Sequence, residues 1–521
     1  MRSSELKAAI LWASCLGLAL LPASASADVK LPPIISSHMV LQREMPVPIW
    51  GIAKVGEKVT VKFRDQEKTT QADDKGKWLV KLDPLKAGGP DTLTVVGANT
   101  LKLDDVLVGE VWVGSGQSNM QGSVSGYAKS DDVLAKLAAG TYPKVRLMGS
   151  GRSGWQEADP KNNVGFSALL FAFGVRLQQD LDVPVGLIVG AVGGTPSGSW
   201  VGEDMLAKNE ACQQTLKKFA ATYDLEKLKL KHEADLIKWE KDVVEAKKAE
   251  KKPPVKPLPP LKPGEMRGKI GNLYDAHIKP FQPFAIRGVV WDQGESGTQV
   301  TGLDQYTLMG ALIRGWRLAW GLDFAFIFIQ KPSGGGPAWD YADAVTKQAD
   351  KFSKLPAAVP PLQAGAYRDN HIRIMNYPNT AMAISSDLGP GVHPINKSGY
   401  GTRASRVALG MVYGKKIEYY GPIFQGHKTE GSKIRVTFTH VGQGLAFKNG
   451  EKLQGFAVAG SEKAFVWADA VIDGNAVLVS SPKVAEPVAV RYAWSQTHPW
   501  ANLFNRDGLP GLPFRTDAWE K

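Results

Sequence analysis

The chain has 521 residues, 43% hydrophobic and 22% charged, the balance of an ordinary globular protein with length for roughly two to four domains rather than one core. Its net charge of +12 raises a nucleic-acid reading, but much of the excess lysine lies in one segment, 225–269, with no aromatic residues interleaved with a basic groove, so no nucleic-acid partner is expected. The only cysteines are Cys15 and Cys212, which excludes an internal disulfide once the leader is removed.

Residues 1–27 carry Arg2 and Lys7, the apolar run "AAILWASCLGLALL" and a small-residue ending, Ala25-Ser26-Ala27. The run falls short of the ~20 apolar residues a membrane span needs. It reads as a signal peptide cleaved after Ala27, leaving a secreted or periplasmic protein with no membrane span. From 28 to 107, "KVTVKF", "KWLVKL", "DTLTVVG" and "TLKLDDVLVG" alternate apolar and polar residues between Gly, Asp and Lys turns, which predicts an N-terminal β-sandwich.

The pattern changes at 108. Strand-like runs "EVWVGS", "KVRLMGS", "VGLIVGAV", "IRGVVWDQG", "FAFIFIQ" and "AMAISSD" now alternate with helical stretches such as "FSALLFAFGVRLQQDL", "YTLMGALIRGWRLAW" and "NKSGYGTRASRVALGMVYG". This alternation predicts an α/β domain over 108–412, a mostly parallel sheet with helices on both faces. The lysine-rich text interrupts it at about 201–271. There Leu225, Leu228, Leu236, Trp239 and Val243 fall on one helical face, so a docked helix and a stiff proline linker are expected. Cys212, with no catalytic motif around it, reads as incidental. Strands return over 413–521, in "KIRVTFTH", "GLAFK", "EKAFVWADAVIDGNAVLVSS" and "PVAVRYAW", predicting a C-terminal β-rich domain.

In an open parallel sheet, ligands bind beyond the carboxyl ends of the strands. "EVWVGS" runs into Gly116-Gln117-Ser118-Asn119, where glycine permits a sharp turn. On this fragment alone Ser118 either caps the following helix or presents its hydroxyl for chemistry. "GSGQSN" lacks the third glycine of a dinucleotide fingerprint and the lysine of a phosphate loop. The other strand ends carry Gly193-Gly194-Thr195, then Asp292-Gln293-Gly294-Glu295, then Asp387 with His393 after it. Serine, donors, acid and histidine on one rim are the parts of acyl transfer. Ser118 would attack, His393 would act as base and then acid, and Asp387 would orient it. The backbone N–H groups of Ser118 and of Gly193 or Gly194, with the Gln293 amide, would stabilise the oxyanion. Gln117, Asn119, Glu295 and Asp292 are candidate support or substrate-binding residues. No His/Cys cluster or H-E-x-x-H motif has metal-ligand spacing, so no metal is expected.

The text resembles the sialate O-acetylesterases, a branch of the SGNH-type serine hydrolases, over nearly the whole mature chain. The resemblance rests on "MVLQREMPVPIWG", "GEVWVGSGQSNM", "GGTP", "GVVWDQGESG", "HPINKSGYGTRASRVAL" and "NLFNRDGLPGLPFRTD". It implies an SGNH-like α/β/α domain between the two β regions and removal of O-acetyl groups from a sugar or polysaccharide, without a cofactor. It also gives Ser118 the nucleophile position and His393 that of the base. The family usually has an aromatic residue where Asp292 stands and an asparagine where Gly297 stands. Many SGNH enzymes place the acid three residues before the histidine, where this chain has Pro390. Asp387 is then the nearest carboxylate, with a backbone carbonyl or Glu295 as substitute orienters. A protein of another class, a catalytically inactive carbohydrate-binding or scaffold protein on the same fold, is the alternative.

Overall fold

The computed structural model describes residues 28–151, 154–331, 353–389, 391–448 and 451–519. The expected leader with Cys15, the glycine-rich stretch 332–337 and Pro390 lie outside the described residues.

The opening strands are β1 (Val40–Gln42), β2 (Val47–Ile52), β3 (Lys58–Phe63), β4 (Gln66–Gln71), β5 (Lys77–Leu82), β6 (Gly88–Val96) and β7 (Thr100–Gly116). In β3 and β5 every second residue is buried, the period of a strand with one face in the core. β3 pairs antiparallel with β4 and β6, β6 with β7, and β2 with β5 in a sheet of its own, while β1 runs parallel to β7.

β7 serves two sheets. Its first residues alternate in burial along β6, and from Val106 to Gly116 it is buried throughout. The division expected at 107/108 therefore falls inside one unbroken strand, marked in the sequence only by the change from alternating to continuous apolar text. Val59, Val61 and Leu93 of the first strands share one hydrophobic core with Val113, Ile188 and Val290 further on.

The central sheet adds β8 (Tyr142–Met148), β9 (Gln156–Ala158), β10 (Val185–Ala191), β11 (Gly288–Asp292), β12 (Ala325–Ile329) and β13 (Thr380–Ala383). Its order is β13-β12-β11-β7-β10-β8-β9. Every pair is parallel except β8 with β9. β10, β11 and β12 are buried at every position, as strands covered on both faces must be. On one face Trp112 of β7 meets Phe173 of the helix Ala168–Leu181, ring centroids 5.1 Å apart. On the other, Trp291 of β11 meets Trp316 of the helix Gln305–Trp320 at 5.8 Å. The helix Lys397–Met411 packs on Ala168–Leu181 through Gly401, where a Cβ would sit 2.6 Å from the Leu169 carbonyl oxygen. That crossing needs glycine.

The insertion folds differently from expectation. The helix Leu225–Lys248 has no buried residue, and its apolar face is not docked on the main core. Instead the proline-rich segment folds back along it, Trp239 Nε1 donating to the Pro254 carbonyl at 2.8 Å and Tyr223 Oη to that of Leu261 at 2.8 Å. Cys212 is fully buried, its Sγ 3.8 Å from the Thr307 carbonyl oxygen in the helix Gln305–Trp320. No helix among the described residues is long and apolar enough to cross a membrane.

After the central sheet come separate antiparallel sheets. One pairs Ile423–Glu430, Lys433–Thr439, Ala476–Ser480 and Asp469–Asp473; another pairs Val466–Trp467, Phe456–Ala459, Ala489–Tyr492 and Phe514–Arg515. They close on a second hydrophobic core that includes Val436, Val458, Val479 and Tyr492.

Candidate active site

The site is built where β7 stops. At Gly116 φ is +126°, and a Cβ there would lie 2.1 Å from the Asp292 carbonyl oxygen, so glycine alone lets the ends of β7 and β11 come this close. The Gln117 N–H donates to that same carbonyl at 2.8 Å. A single helical turn, Ser118–Gln121, follows with Gln117 in its N-cap position and no side-chain cap. Ser118 is thus not a cap: its Oγ lies 2.8 Å from His393 Nε2, across 275 residues of sequence. Ser118 is half-buried and His393 exposed, so the pair opens to solvent.

The Asn119 side chain joins the two loops. Its Nδ2 donates to the Val392 carbonyl at 3.1 Å, and its Oδ1 accepts from Lys397 Nζ at 2.6 Å. Lys397 Nζ also donates to the Pro394 carbonyl at 2.7 Å. Asn396 caps the helix behind this loop, accepting from the Gly399 N–H at 2.8 Å, and Asp131 accepts from the N–H and hydroxyl of Ser398.

Several expected roles change. Asp387 is turned to Arg403, its Oδ2 2.8 Å from Nη2, and its Oδ1 has no hydrogen-bond partner, so no bond joins it to His393. A buried arginine supplies the charge that the sequence reading had assigned to an imidazole. Glu295, the substitute orienter, accepts from Gln117 Nε2 at 2.9 Å and lies 2.8 Å from Lys331 Nζ. Gln293 is fully buried. Its amide nitrogen donates to the carbonyls of Thr195 (3.3 Å) and Gly297 (3.1 Å), and its oxygen accepts from Gln305 at 3.1 Å. An amide with both N–H groups so engaged braces two loops and has none left for an oxyanion.

Gly193 stands against the nucleophile: a Cβ there would lie 3.4 Å from that of Ser118. Its N–H donates to Gln121 Oε1 at 2.8 Å. The Gly194 and Ser118 N–H groups have no hydrogen-bond partner among the described residues. Gln117 and Asn119 are buried, as is Asp292. Asp292 Oδ1 lies 2.6 Å from Lys331 Nζ, both side chains fully buried.

Burial opposes the charge on Lys331, but Asp292 and Glu295 outweigh it and hold the ammonium above the ordinary lysine range. On Lys397 burial prevails instead: against the pull of Asp292, Glu295 and Asp131 it brings that amine down to about 7. Neither lysine was singled out by sequence reasoning. The available signal was position: Lys331 stands two residues after the apolar strand β12, and Lys397 stands in the first turn of a helix four residues after His393.

No family model matches the chain. It is 30% identical to a carbohydrate acetylesterase from Xanthomonas citri whose crystal structure covers 94% of this chain and is itself covered completely, with a TM-score of 0.72. It is 29% identical over 440 residues to the sialate O-acetylesterase of Rattus norvegicus, spanning 75% of this chain and 74% of that one. With the human sialate O-acetylesterase it shares 27% identity over 521 residues, 91% of this chain and 88% of the relative. With a largely parallel sheet flanked by antiparallel β-sheets, and with this likeness along nearly its full length, the chain belongs to the sialate O-acetylesterase family of carbohydrate ester hydrolases.

Proposed function

We propose that Ser118 and His393 hydrolyse O-acetyl esters of a sugar through an acetyl-enzyme, within an SGNH-like domain at about 108–412 flanked by the β regions 28–107 and 413–521. The observation that carries this reading is the 2.8 Å separation of Ser118 Oγ and His393 Nε2. With the imidazole protonated on Nδ1, Nε2 accepts the hydroxyl proton as Oγ bonds to the acetyl carbon. The carbonyl oxygen then carries the charge. Supported by their having no hydrogen-bond partner among the described residues, the N–H groups of Ser118 and Gly194 are its donors, each worth about 3 kcal/mol in such a role. When the tetrahedral centre collapses, the sugar oxygen leaves with the proton from Nε2. Water repeats the sequence: Nε2 takes its proton, the new centre breaks at Oγ, the proton returns to Ser118 and acetate departs.

The substrate we favour is O-acetylated sialic acid, after the names of the curated relatives; acetylated xylan and pectin are the competing sugars. Export belongs to the same proposal, supported by the apolar run before Ala25-Ser26-Ala27. The test is acetate release across a panel of these substrates, with wild type beside Ser118→Ala. The variant should lose at least about 10³-fold in rate. Equal rates would remove the esterase reading and return the inactive-scaffold alternative.

A further inference from the structure

Two loops far apart in sequence carry the proposed reacting atoms, and something must hold them at a fixed distance. Asn119 adjoins Ser118, and Val392 and Pro394 are the two neighbours of His393. The Asn119 amide donates to the Val392 carbonyl, Lys397 donates to the Pro394 carbonyl, and Lys397 also donates to the Asn119 amide oxygen. The three bonds close a ring around the base, and Lys397 makes two of them. The lysine is fully buried, with the rings of Tyr127 and Tyr400 at 4.5 and 5.0 Å from its Nζ. A buried ammonium is kept only where its surroundings satisfy it.

We infer that Lys397 is a positioning residue of the ester-cleaving site: its ammonium, bonded at once to the Asn119 amide and the Pro394 carbonyl, sets the distance between Ser118 and His393. The inference rests on the reading of Ser118 and His393 as the reacting pair. Lys397 touches neither reacting atom, and its effect passes through the two loops. Charge-assisted hydrogen bonds are about twice as strong as neutral ones, so the strap is strongest while the lysine is protonated. The groups that act on that charge come from every side. Asp292 at the end of β11, Glu295 after it and Asp131 before the helix Asp132–Ala138 favour the ammonium, while burial and Lys331, two residues past β12, oppose it. With the amine brought down to about 7, the strap weakens as pH rises through neutrality, and kcat should fall with it.

The experiment measures kcat, KM and their pH profiles, using acetate release by the full mature chain, for wild type, Lys397→Met, Asn119→Ala and Ser118→Ala. Lys397→Met should lower kcat by about 10²-fold, the cost of misplacing reacting groups by about 1 Å. Its KM should stay within about threefold, since no substrate contact is removed, and the alkaline fall of kcat should disappear. Asn119→Ala takes one acceptor from the lysine, so its alkaline fall should begin at lower pH. This arm, with the wild-type profile, decides the matter if Lys397→Met does not fold. A Lys397→Met profile that overlays wild type, or an alkaline midpoint that Asn119→Ala leaves in place, overturns the inference. Retained activity in Ser118→Ala overturns the reading beneath it instead, so the two failures are distinguishable.

Discussion

Replacing Lys331 by methionine tests whether a buried charge cluster supports the turn that carries Ser118. Lys331 Nζ lies 2.6 Å from Asp292 Oδ1 and 2.8 Å from Glu295 Oε1, with Lys331 and Asp292 at 0% side-chain exposure and Glu295 at 12%. Methionine nearly preserves the volume and removes only the charge. Breaking a buried ion pair by deleting one partner costs about 3–5 kcal/mol, because the other charge is left without compensation. Glu295 keeps the Gln117 amide as a donor, so the loss falls on Asp292, and we expect a destabilisation of about 4 kcal/mol. Burial already pushes the Asp292 carboxyl up, and without Lys331 it should rise further and hold a proton. The sign follows. Between its unfolded and its raised folded value the folded state binds more protons, so the stability of Lys331→Met falls as pH rises through that window. The assay is urea denaturation followed by tryptophan fluorescence, with Trp291 adjoining Asp292 in β11. The double variant Asp292→Asn/Lys331→Met should recover to within about 2 kcal/mol of wild type, since no buried charge is stranded there. A single variant within about 1 kcal/mol of wild type, or strictly additive losses, would refute the reasoning.

Asp387→Asn separates a triad acid from a structural partner of Arg403. Because its carboxylate faces that arginine, kcat should stay within about tenfold while stability drops by about 3 kcal/mol; a 10⁴-fold loss of kcat at unchanged stability, about the cost of losing a triad acid, would return Asp387 to the catalytic role. Gln293→Met leaves the Thr195 and Gly297 carbonyls and the Gln305 amide without this partner, so denaturation should show a loss of at least about 2 kcal/mol, whereas a fall in kcat with stability intact would argue for an oxyanion donor. Cys212 is buried and burial lifts its thiol to about 11, so iodoacetamide at pH 8 should label it only in denaturant; labelling of the native protein within minutes contradicts that burial.

Much of the architecture was legible because it is written in local periods. The alternation of "KVTVKF" and "KWLVKL" became β3 and β5 over those very residues, and "VGLIVGAV" and "FAFIFIQ" became strands buried on both faces. The strand-end rule put Ser118 and His393 on one rim, and the structure places them 2.8 Å apart. The insertion misled for a physical reason: a helical stripe shows that one face is apolar without showing what covers it, and here the cover is the chain's own proline segment.

What the sequence by itself determined is where strands end, which small residues permit the turn at Gly116, and which side chains stand on the ligand side of the sheet, because backbone sterics and hydrophobic period act over a few neighbouring residues. Only the tertiary structure decided which donor meets which acceptor. Asp387 went to Arg403, Gln293 to two loop carbonyls, Lys331 to Asp292 and Lys397 to Asn119, a partner 278 residues away. A charge or an amide has no period to read; once buried it must pair with whatever packing brings within hydrogen-bond reach, and that is settled by the whole fold at once.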